Sequence, residues 1–134
     1  MKKIFPQGLL AAHILVCSSV AFAGFGEREW NFAPDESVTI IPSDIVRQGV
    51  EYSCEAFKPK KVSFTLSYSA PSDLDKLHIV VDDEKKITHD KEKKIFTLKD
   101  VKSLNIGFPP SGNYIFKNIT KEKVTGIDCD AGDF

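Results

Sequence analysis

Two apolar alternations, separated only by residues 57–61, constrain this chain more than any other feature in it. Val50, Tyr52, Cys54 and Ala56 alternate with Glu51, Ser53 and Glu55, and Val62, Phe64, Leu66 and Tyr68 alternate with Ser63, Thr65, Ser67 and Ser69. A period of two sets one apolar face on a core and one polar face in water. Residues 57–61, which carry Pro59, read as a short connection, and an antiparallel hairpin is the economical arrangement.

The rest of the chain supplies partners for these strands. Residues 37–41 form a short apolar segment stopped by Pro42, and Leu77, Ile79 and Val81 continue the alternation. Segments 95–98, 104–108, 114–119 and 124–129 follow, with turns at 109–113, rich in Pro, Gly and Asn, and at 121–123. Residues 43–49 read as a turn or one helical turn capped by Ser43 or Asp44, and 70–73, around Pro71, as another turn. Residues 82–94 mix Asp, Glu and Lys densely, which suits a solvated hairpin tip or a charge-protected edge strand. Beyond the amino terminus no window of helical length repeats apolar residues at three and four. About seven to nine short strands predict an all-β fold, a single-domain antiparallel β-sandwich, immunoglobulin-like or a small barrel variant, with one disulfide. A true immunoglobulin domain is disfavoured, because no Trp follows Cys54, Ile127 stands where a Tyr is expected, and little chain follows Cys129.

Compartment is written at the start. Lys2 and Lys3 precede an apolar stretch at 8–20 that is too short to span a bilayer, and Ala21 and Ala23 stand where a signal peptidase reads small residues. We expect a secretory signal over 1–23, one domain over 24–134, and a periplasmic or secreted protein. The 111 residues left by cleavage suffice for one core. Cys54 and Cys129 are then the only cysteines, and in an oxidising compartment they are expected to pair. The 16 basic against 19 acidic residues left after cleavage give a net charge of −3, which draws the chain to neither nucleic acid nor anionic lipid. No stable membrane insertion is expected after cleavage.

Chemistry-bearing motifs are sparse. His78 and His89 sit in strand-like and charged surroundings without an elbow or metalloprotease motif, so no catalytic residues, no cofactor and no metal site are assigned. Asp128, Asp130, Gly132 and Asp133 are similar to fragments of a calcium loop but lack its closing Glu. His78, Asp82, Asp83 and His89 could meet across a hairpin, although a solvated face explains them as well. Asn118, Ile119 and Thr120 match a glycosylation acceptor, a triplet that carries no such meaning behind a bacterial-type signal. The candidate partner-binding residues are Trp30 and Phe32, in an aromatic-rich mature start, and Ser111 and Tyr114, in the 109–114 loop. Trp30 and Phe32 share parity, so they fit equally a first strand with its aromatics inward.

Tyr52-Ser53-Cys54, Ser111-Gly112-Asn113-Tyr114 and the closing Cys129 resemble the layout of bacterial periplasmic inhibitors of C-type lysozyme. The resemblance implies a small β-barrel whose Ser111 and Tyr114 enter a lysozyme cleft. Glycine and tyrosine stand one residue closer here than in that family, and its second, Lys-Gly-bearing motif is absent. Three functions follow as expectations. The first is an exported, non-catalytic, protein-binding domain of the bacterial envelope. The others are an inhibitor or immunity protein against a wall hydrolase or toxin, and a structural or assembly component of an envelope complex.

Overall fold

A computed structural model describes residues 30–42, 49–69 and 74–133. The expected signal, most of the 43–49 turn, the 70–73 turn and Phe134 lie outside the described residues. Ten strands are described: β1 (Asn31–Phe32), β2 (Ser37–Ile40), β3 (Val50–Lys58), β4 (Val62–Tyr68), β5 (His78–Val81), β6 (Ile87–Asp90), β7 (Ile95–Val101), β8 (Leu104–Phe108), β9 (Tyr114–Asn118) and β10 (Val124–Asp133). Short 3-10 turns at Leu74–Lys76 and Glu84–Lys86 flank β5. All strand pairing is antiparallel, in sheet I with the order β2-β9-β4-β7-β6 and sheet II with the order β1-β10-β3-β8-β5. This is a β-sandwich closed by the Cys54–Cys129 disulfide.

The expected hairpin between β3 and β4 is not formed. β3 pairs with β10 and β8 in sheet II, whereas β4 pairs with β9 and β7 in sheet I. The link between them, entered through a cis Lys58–Pro59 peptide, arches from one sheet to the other. Phe57 and Phe64 then meet as rings across the interior, their centroids 5.8 Å apart. Period-two alternation is satisfied equally by two strands side by side or by two strands face to face, so it does not choose between hairpin and arch.

The same crossing recurs along the chain, and it gives the sandwich a nested order. Strands β1 to β4 run outward, alternating sheets, and β7 to β10 run back so that β4 pairs with β7, β3 with β8, β2 with β9 and β1 with β10. That order is a jelly roll, lengthened by β5 and β6, one at the end of each sheet. Among the described residues the only sequential strands that pair are β6 and β7, joined by residues 91–94. There Asp90 Oδ1 accepts from the backbone N–H of Glu92 and Lys93, each at 3.1 Å. The charged 82–94 stretch is therefore a hairpin tip with an edge strand, as its composition predicts.

The core is aromatic. Phe64 and Phe116 lie 4.4 Å apart, Phe32 packs edge-on against both, and Trp30 meets Phe32 and Phe116 at 6.1 and 6.0 Å. Such pairs contribute about 0.5–1.5 kcal/mol each beyond area burial. Among the described residues one polar side chain, Asn118, is fully buried there. Its Nδ2 donates to the carbonyls of Phe32, Ala33 and Glu122 at 3.0–3.3 Å, and its Oδ1 accepts from Thr120 N–H at 2.9 Å. The atom a glycan would occupy is thus a clasp that ties the 33–36 turn to the end of β9.

Candidate binding surface

The fold turns the aromatic candidates inward. Trp30, Phe32 and Tyr114 are 1 %, 2 % and 2 % exposed. Trp30 reaches its place because Gly126, opposite it, has no Cβ; the Gly126 N–H donates to Trp30 O at 2.7 Å. The Tyr114 ring packs 4.9 Å from Phe108, and its hydroxyl donates to Ser111 O at 3.3 Å, under the turn. These three side chains are buried in the core. The inward alternative that their parity left open is the one the fold adopts. Ser111 stays half-buried on the turn, between exposed Pro110 and Asn113. In the lysozyme-inhibitor resemblance Tyr114 would enter a cleft; here its ring is committed to the core.

The two histidines go to different sheets, His78 to β5 and His89 to β6. Both are exposed, but His89 lies in register with Phe96 on the core side of sheet I. Its ring stacks on Phe96 at 4.0 Å and its Nε2 is 2.8 Å from Tyr68 Oη. Among the described residues no three His, Cys, Asp or Glu side chains converge as metal ligands. Asp128 and Asp130 are strand residues of β10, so the loop needed for a calcium site is not present there. Among the described residues, Asp82 is the acid whose carboxyl is shifted most clearly. Desolvation alone would raise its carboxyl, but the bond from Lys86 Nζ, at 2.6 Å, and the Lys102 N–H, at 2.8 Å, outweigh this. They hold it down from 3.8 to about 2. This ties the β5–β6 crossing to the end of β7 and is a structural role.

The outward face of sheet I is the surface that remains. Register aligns Thr39, Ile115, Ser67, Ile95 and Asp90 in one row across its five strands, and Ser37, Lys117, Thr65, Thr97 and Thr88 in the next. Of these ten side chains only Lys117 and Asp90 carry charge, although 28 % of the chain's residues are charged. Ile115 stands 45 % exposed between Thr39 and Ser67. Sheet II differs, for its outward side carries Glu51, Glu55 and Asp130 beside the exposed Val80 and Ile127. The hydroxyls of β4 were legible in the sequence as its polar side. Their neighbours were not, because the rows assemble strands as distant as 37–40 and 95–97.

No family model, curated protein or solved structure matches this chain.

Proposed function

We propose that this protein is an exported, non-catalytic domain that binds another protein through the outward face of sheet I. The observation that carries the reading is the paired row of hydroxyl and β-branched side chains centred on Ile115, Ser67, Thr65 and Thr97. A charge-poor centre with exposed apolar area is what a protein interface needs for desolvation, and hydroxyls can satisfy a partner's polar groups there. Export rests on the leader pattern at 1–23 and on the disulfide. No described helix is long and apolar enough to cross a membrane.

The test is an affinity measurement against envelope extract and then against the recovered partner. Ile115→Glu with Thr65→Lys places opposite charges on exposed and half-buried positions without touching the core, and is expected to weaken binding at least about a hundredfold. Ile127→Glu, on the outward face of sheet II, is expected to leave it within about twofold. Equal binding by all three proteins would remove the reading.

A further inference from the structure

Each sheet has two edge strands, and a free edge presents a row of N–H and C=O groups that can accept another strand. Among the described strands, three of the four edges are blunted. β1 is two residues long, β2 lies between Pro34 and Pro42, and β6 is bracketed by Lys85, Lys86, Lys91 and Lys93. β5, the sequence His-Ile-Val-Val at the edge of sheet II, has neither proline nor a charged carboxylate or ammonium group within it. Its outward Val80 is 47 % exposed, and its inward Ile79 and Val81 are only half-buried. Among the described residues no strand pairs with this edge, and its side chains are partly exposed.

We propose that a second copy of this chain adds its β5 to this edge, antiparallel about a two-fold axis at Val80, and so extends sheet II from five strands to ten. The side-chain complementarity selects both the occupant and the register. Centred on Val80, the pairing sets Val80 against the partner's Val80, Ile79 against the partner's Val81 on the core side, and His78 against the partner's Asp82. An imidazole N–H is then beside a carboxylate whose oxygens already accept from Lys86 Nζ and the Lys102 N–H, so that it is a further donor to that carboxylate. A register centred on Ile79 would put His78 against the partner's Val80 and lose that match. The neighbouring β6 hairpin does not oppose the approach. Residues 82–94 hold Asp82, Asp83, Glu84, Asp90 and Glu92 against Lys85, Lys86, Lys91, Lys93 and Lys94, so two symmetric copies carry no net charge into the contact. A pairing of five residues from each copy is smaller than a standard interface, so the dimer is reversible and concentration-dependent.

Sedimentation velocity on the purified, disulfide-intact protein across a wide concentration range tests this, alongside Val80→Lys, which puts two ammonium groups face to face on the axis. Circular dichroism checks that the variant is folded; the exposure of Val80 makes this the expected result. The wild type should shift from monomer to dimer with concentration, and Val80→Lys should raise the dissociation constant at least about tenfold. Separately, Val80→Cys should oxidise to a covalent dimer, whereas Thr65→Cys, on the other sheet, should not. A wild type that stays monomeric, a dimer indifferent to Val80→Lys, or equal cross-linking at positions 80 and 65 would each overturn the proposal.

Discussion

A methyl group at position 126 would meet three atoms at once: the Cys129 sulfur, the Cys54 sulfur at 2.6 Å and Trp30 Cβ at 2.8 Å. None is the free end of a flexible side chain, so Gly126→Ala is expected to lower stability by about 1–3 kcal/mol, the usual cost of overpacking. Gly49 is required for a second reason: it enters β3 at φ +100, with Phe108 O against its missing side chain. Asn118→Ala removes the donor shared by three carbonyls, at about 1–3 kcal/mol for each one left unmet in the interior; chemical denaturation measures both variants. Asp82 sets an acid signature. Its carboxyl is held below its unfolded value, so its contribution to stability is complete above about pH 4. It is lost as pH falls toward the folded value of about 2. Asp82→Asn should flatten that part of the stability–pH curve. Of these residues, the sequence made Asn118 visible only as a glycosylation triplet and gave Gly126 no signal, because the neighbours of both come from remote segments.

Within β3 the alternation breaks, and the break was not legible. The sequence pattern sets Ala56 on the core face and leaves Phe57 in the connection, but Phe57 is buried and Ala56 only half-buried. The partner strand turns over at the same level. Asp128 takes φ +57 between the pairs Ile127 with Ala56 and Cys129 with Cys54, so Cys54 and Gly126 face inward while Ile127 faces out. A left-handed residue in mid-strand depends on the strand opposite it, which is 70 residues or more away in sequence. Phe57→Ala is therefore expected to cost about 3–5 kcal/mol, and Ala56→Ser less than about 1 kcal/mol. The reverse ranking would mean that the unbroken alternation is correct.

For the molecule as a whole, period, turns and cysteines made the fold class and the bridge readable, and they left the strand order open. Nested pairing is decided by which edges remain when both sheets bury their apolar faces, a property of the assembled chain. The bridge joins neighbouring strands of one sheet, β3 and β10, across 75 residues of sequence. Its loss in a Cys54→Ala, Cys129→Ala variant is expected to cost about 4–5 kcal/mol through the freed unfolded chain, read as a lowered denaturation midpoint. The proposed binding surface was the least legible part. Aromatics concentrated at Trp30, Phe32 and Tyr114 suggested a docking surface, whereas a sandwich of this size uses them to fill its interior. What is left outside on sheet I is a face of hydroxyls and isoleucines, and the central claim is that a partner protein covers it. The most direct measurement places a photo-reactive residue at position 115, on that face, or at position 127, on the opposite sheet, in the protein expressed in its host. Protein adducts from position 115 and none from 127 are the predicted result. Adducts from 127 alone, or from neither, would contradict it.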